Sequence, residues 1–136
     1  MSKTLRFISI SHKTASVSKR EEYHISDCEK NNLITLIQTA FPDIAGLLLL
    51  TTCNRTEIYI ESAETTAIDL RDFLVKYKKR NLALDKNLFN LSNSTEDTVR
   101  HLLEVSSWLA SSIFGDEEII HHIKKEHQLA IVYLLQ

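Results

Sequence analysis

Glycine and proline are nearly missing from this chain. Its 136 residues hold two glycines, Gly46 and Gly115, and one proline, Pro42, so no glycine-rich loop of the kind that cradles a dinucleotide can be written along it. Cysteine is as scarce. Cys28 and Cys53 are the only two, and their spacing fits neither a disulfide framework nor a zinc site, which suits a reducing cytoplasm. An excess of one charge is also lacking: a formal net charge of -2 exerts no general pull on polyanions, and any nucleic-acid contact has to be local. No apolar run is long enough to span a bilayer, and Met1-Ser2-Lys3-Thr4 leads straight into Leu5 without the flanks of a secretion signal. A cytoplasmic protein without a membrane partner is therefore expected. What the chain has is apolar residues, 43% of the total, enough for one compact core or two small subdomains.

The apolar residues fall into periodic segments. Residues 4–10 read as a first strand, and the polar loop from Ser11 to Ser18 leads into a short helix over Lys19 to Tyr23. Ser26-Asp27-Cys28-Glu29 is a capping box, and Leu33, Leu36, Ile37, Ala40 and Phe41 give the helical stripe that Pro42 ends. Leu47 to Thr52 reads as a buried strand, and Ile58 and Ile60, alternating with Glu57, Tyr59 and Glu61, as a half-buried one. Thr66 and Asp69 open a helix striped by Leu70, Phe73, Leu74 and Tyr77, and a last strand is expected around Leu88 to Leu91. The order predicts an α+β fold, a small antiparallel βαββαβ-type sheet with helices on one face, over residues 1–93. Residues 94–136 read as a helical subdomain: Ser94-Thr95-Glu96-Asp97 caps a helix striped by Val99, Leu102, Leu103, Leu109 and Ile113, and Gly115 and Asp116 precede another.

The chemistry is concentrated at Thr51-Thr52-Cys53-Asn54-Arg55. A thiol in a short turn at a sheet rim is displayed as a nucleophile is, and a guanidinium two residues on can hold a carboxylate beside it. The bland alternative is an inert small residue at a strand end. His101, beside apolar Leu102, reads from spacing either as a satisfied histidine or as a distant assistant. Cys28 lies in the first turn of a helix with nothing near it that suggests a substrate. Lys76, Lys78, Lys79 and Arg80 sit where a helix dipole favours cations, and are either a solvated helix end or a phosphate contact. His121, His122 and His127 are not at a standard zinc spacing, and no metal site is expected.

His12-Lys13-Thr14-Ala15-Ser16-Val17-Ser18-Lys19-Arg20-Glu21, then Thr51-Thr52-Cys53-Asn54-Arg55-Thr56-Glu57-Ile58-Tyr59, then His101 to Lys124 resemble, in that order, the amino-terminal catalytic domain of glutamyl-tRNA reductase. The family reduces glutamyl-tRNA to glutamate-1-semialdehyde with NADPH, opening tetrapyrrole biosynthesis. By resemblance Cys53 is the nucleophile that takes the glutamyl group as a thioester, and His101 is the active-site histidine. Arg55 binds the substrate carboxylate, with Thr52, Asn54 and Ser111 orienting the glutamyl group. Complete chains of the family continue into a Rossmann-type NADPH domain and a helical domain that forms a homodimer; this chain is expected to stop before both and to be reductase-inactive alone. It departs from the family at Trp108-Leu109-Ala110-Ser111, where Gly-Leu-Asp-Ser is common, and at Gly115-Asp116-Glu117-Glu118, where Gly-Glu-Pro-Gln is common. The alternative is a non-catalytic module that binds tRNA or another partner.

Overall fold

The computed structural model describes residues 3–52 and 54–112, with side chains as far as Ser107. Four strands, β1 (Thr4–Ser11), β2 (Ile44–Thr52), β3 (Arg55–Ser62) and β4 (Asn90–Ser92), form one antiparallel sheet in the order β2-β3-β1-β4. Around it run α1 (Val17–Glu22), α2 (Asp27–Ala40), α3 (Ala67–Tyr77), the short α4 (Leu82–Asp85) and α5 (Thr95–Ser112). The helix starts follow local chemistry: the Ser26 N–H donates to the Glu29 carboxylate at 3.0 Å, and Thr66 and Asp69 make the reciprocal pair at the start of α3. Helix termination is equally local. Pro42 follows α2, and Lys79, at φ 57°, closes α3 while the N–H groups of Lys79 and Arg80 bond back to Lys76 and Val75.

Within residues 3–92 the helices α2 and α3 lie on one face of the sheet. Ile8, Ile10, Leu47, Leu49, Ile58 and Ile60 point to that side and pack with Leu33, Ile34, Ile37, Leu70 and Leu74. Each such side chain contributes about 1.5–3 kcal/mol by leaving water. The other face is also covered. Phe7, Leu48 and Tyr59 form a second cluster against Leu102 of α5, so β3 is buried on both sides and Glu57 and Tyr59, expected on a wet face, are 0% and 5% exposed.

The docking of α5 depends on the shortness of β4. That strand pairs only with Phe7, Ile8 and Ser9, and beyond it the Leu5 backbone is taken up by helix side chains: its N–H donates to Thr95 Oγ1 and its carbonyl accepts from the Thr98 hydroxyl, both at 3.1 Å. Seated this way, α5 turns Thr98, His101, Leu102 and Val105 toward the sheet, while Val99 and Leu103, expected in the apolar stripe, are 41% and 62% exposed. Leu36 of α2 is likewise turned outward. The sequence reading also missed α4, a single turn that the Asn81 side chain caps.

Asp43, just before β2, gathers the loop that enters α3. Its carboxylate accepts from the Glu64 N–H at 2.8 Å, the Thr65 N–H at 2.7 Å and the Thr65 hydroxyl. Burial alone would raise its pKa, but the Thr65 hydroxyl and the two N–H groups outweigh burial and bring it from 3.8 to about 2. A folded-state value below the unfolded one gives stability that is complete above about pH 4 and lost as the pH falls toward 2. Asp43→Asn is therefore expected to lower the urea midpoint clearly at about pH 6 and much less at about pH 2.5; an equal loss at both would contradict this account.

Candidate functional site

The register of β1 on β3 builds the site. Antiparallel pairing sets Ser11 opposite Arg55, Ser9 opposite Glu57 and Phe7 opposite Tyr59, and residues two apart share a face. One face of the two central strands therefore grades from polar at the sheet end to aromatic farther in. α5 lies across this face, with His101 stacked on Phe7 at 4.3 Å between ring centroids and 11° between planes.

Glu57 is the centre of the arrangement. Its Oε2 accepts from the Ser9 hydroxyl at 2.6 Å, Arg55 Nη1 at 3.0 Å and His101 Nε2 at 2.8 Å, and its Oε1 accepts from the Tyr59 hydroxyl at 2.7 Å. Burial works to raise its pKa, but His101, Ser9 and Tyr59 outweigh burial and hold the carboxyl below its ordinary value. For Tyr59 the sign is opposite: burial, then the Glu57 charge, push its phenol well above the ordinary range. Arg55, 5% exposed, forms an ion pair with Glu57.

The structure brings the two sequence motifs together at one sheet end. β2 and β3 are joined between the paired residues Thr52 and Arg55, with the Asn54 N–H donating to Thr52 Oγ1 at 3.2 Å. From the loop after β1 the His12 N–H donates to the Asn54 carbonyl, also at 3.2 Å. Burial, and after it the charges of Arg55, Arg20 and Lys13, lower the pKa of His12. Beside Arg55 lies a hollow of about 130 Å³ lined by Ser9, Ser11, Lys13, Arg55, His101 and Glu104, among others.

Of the sequence-predicted residues, Thr52, Asn54, Arg55 and His101 are thus gathered around one end of the sheet. Cys53 lies outside the described residues; Ser111 falls within α5 by its backbone, its side chain outside those described. The motif positions from Trp108 to Glu118 and the histidines His121, His122 and His127 have no described side chains. Sequence reasoning missed Glu57 and Ser9. The available signal was the offset of two from Arg55, which puts a carboxylate on the same strand face as the guanidinium.

In the basic cluster, Lys78 bonds the His24 carbonyl and the Glu29 carboxylate, and Arg80 pairs with Glu22. Cys28 is exposed. Among the described residues no group of three or more His, Cys, Asp or Glu could hold a metal ion, and no helix is long and apolar enough to cross a membrane. The hollow beside Arg55, about 130 Å³, is well below the roughly 300–1,000 Å³ of ordinary ligand sites, and Gly46, the one glycine among the described residues, lies within β2.

Three comparisons with known proteins agree. A family model described as the glutamyl-tRNAGlu reductase N-terminal domain matches residues 8–133. The glutamyl-tRNA reductase of Cytophaga hutchinsonii is 35% identical over 129 residues, 94% of this chain and 30% of that protein. That of Microcystis aeruginosa is 34% identical over 129 residues, 93% of this chain and 29% of its own. The solved structure of glutamyl-tRNA reductase from Methanopyrus kandleri superposes with a TM-score of 0.68 at 28% identity, over 96% of this chain and 29% of that one. The chain thus spans about 30% of the length of the relatives it matches.

Removing the central carboxylate takes away the ion-pair partner that a buried arginine has in Glu57. Glu57→Ala is expected to cost about 3–5 kcal/mol at neutral pH by urea denaturation. Because the folded-state pKa of Glu57 is depressed, its contribution is present above the unfolded value of about 4.3 and lost as the pH falls through the folded one, so the gap between the proteins narrows in acid. A gap that widens below about pH 4 would contradict this.

Proposed function

The chain belongs to the glutamyl-tRNA reductase N-terminal domain family, and from that premise we propose that it takes the glutamyl group of glutamyl-tRNA onto Cys53. The thiolate attacks the ester carbonyl carbon and a carbon–sulfur bond forms. The bond from that carbon to the ribose oxygen breaks, and the tRNA leaves as an alcohol with one proton. Arg55 receives the substrate's side-chain carboxylate, Thr52, Asn54 and Ser111 orient the glutamyl group, and His101 handles the proton. Reduction of the thioester to glutamate-1-semialdehyde, the entry to tetrapyrrole biosynthesis, draws on NADPH held by residues other than those described here.

One observation carries this reading: Arg55 of β3 and His101 of α5, far apart along the chain, meet on a single buried carboxylate near the sheet end where β2 gives way to β3 between Thr52 and Arg55. A carboxylate-binding group and a proton carrier are thereby held on one buried anion, within the same motif-bearing end of the sheet. The small hollow between them suits a short acidic side chain.

Incubated with glutamyl-tRNA, these 136 residues are expected to release tRNA or hydrolyse the ester without forming semialdehyde. Cys53→Ser abolishes the release, and Arg55→Lys lowers kcat/KM at least about tenfold, the worth of one lost charged hydrogen bond. Release that is unchanged in Cys53→Ser refutes the reading. Binding of tRNA with no thiol-dependent chemistry favours a binding module instead, and steep salt dependence would locate that binding in phosphate contacts.

A further inference from the structure

Glu57 has no exposed surface, and its two oxygens face four donors drawn from β1, β3 and α5. With the Arg55 guanidinium among them, the carboxylate is an anion and acts only as an acceptor. At 2.8 Å, His101 Nε2 must then carry the hydrogen of that contact. A neutral imidazole has one N–H, so its acceptor lone pair is on Nδ1. The ring is held flat against Phe7 and lies 6.2 Å from Tyr59, on the face of α5 that Thr98 and Val105 anchor to the sheet.

We propose that Glu57 is the positioning residue of this site: it locks His101 in the Nε2–H tautomer, leaving Nδ1 as the ring's only proton acceptor, and holds the Arg55 side chain at the start of β3. Any proton that His101 takes from the Cys53 thiol, or returns to the departing ribose oxygen, passes through Nδ1. Glu57 touches no substrate in this scheme and acts through the two residues it holds. The inference deepens the function proposed above and rests on it for its consequences in turnover, whereas the tautomer is a property of the protein without substrate.

Glu57→Gln separates the charge from the shape. A glutamine can accept from Nε2–H through its oxygen or donate to Nε2 through its amide, so it no longer selects a tautomer, and its single oxygen must also serve Ser9 and Arg55. The experiment is long-range ¹H–¹⁵N spectroscopy of the neutral imidazoles in the 136-residue chain, with His101 assigned by difference against His101→Asn. The unsubstituted protein is expected to give the pattern of a single Nε2–H tautomer. In Glu57→Gln the two nitrogen shifts converge as the tautomers mix, and kcat for tRNA release falls by about 10–100-fold, part of the roughly 100–10,000-fold that a whole acid–base contribution is worth, with the smaller change in KM.

Tyr59→Phe, which removes a Glu57 partner on the other oxygen, leaves the tautomer in place. Should Glu57→Gln fail to fold, Glu57→Asp retracts the charge by one methylene and is expected to loosen the tautomer in the same way. An Nδ1–H ring or a mixture in the unsubstituted protein, or an Nε2–H ring that persists through substitution of Glu57, overturns the proposal. A tautomer that loosens on substitution in a protein that never releases tRNA counts against the proposed function and upholds the positioning role.

Discussion

A carboxylate taken out of water has to find donors for both oxygens, or the structure around it is destabilised by several kcal/mol. Glu57 meets that demand from three elements at once: Ser9 on β1, Arg55 and Tyr59 on β3, and His101 on α5. Each donor is thereby fixed in place. Arg55 loses the freedom of a surface arginine, and α5 is held at the rotation that turns His101 onto Phe7. The same anion that costs most to bury decides how the candidate catalytic groups are presented.

The sheet gives the two jobs to separate faces. Toward α2 and α3 the strands present Ile8, Ile10, Leu47, Leu49, Ile58 and Ile60, an apolar surface that carries most of the core. Toward α5 they present Phe7 and Tyr59 at depth and Ser9, Glu57, Ser11 and Arg55 nearer the end. Chemistry gathers at that end because there the ladder stops: β2 turns into β3, β1 passes into the His12 loop, and backbone groups bond across the gap between Asn54 and His12. A rigid scaffold thus displays a turn and a loop together.

Much of this was legible along the chain. The capping boxes at Ser26 and Thr66 and the stop at Pro42 act within a turn of their own residues, so helix starts and stops need no knowledge of the fold. The alternation through β3 put Arg55, Glu57 and Tyr59 on one side. What it left open was whether that side was wet. Glu57 and Tyr59 read as solvent-facing because their polarity suggests it; they are buried because a helix from the next segment lies over them. α5 was misjudged for the same reason. Its most apolar stripe includes Val99 and Leu103, yet the hydrogen bonds of Thr95 and Thr98 to Leu5 set the helix so that these two face outward and His101 faces in.

The sequence by itself determined the order of the strands and longer helices, the antiparallel sheet with α2 and α3 on one side, the passage from one strand to the next between Thr52 and Arg55, and through its motifs the family. Those features are written in local periodicity, capping and residue identity, which act over a few neighbours. Only the tertiary structure decided that a second helix layer closes the other face, that Glu57 is a buried anion, and that Arg55 and His101 share it. Burial and the partner of a charge are properties of what packs above a residue, and residues far apart along the chain supply that cover only once the sheet has formed.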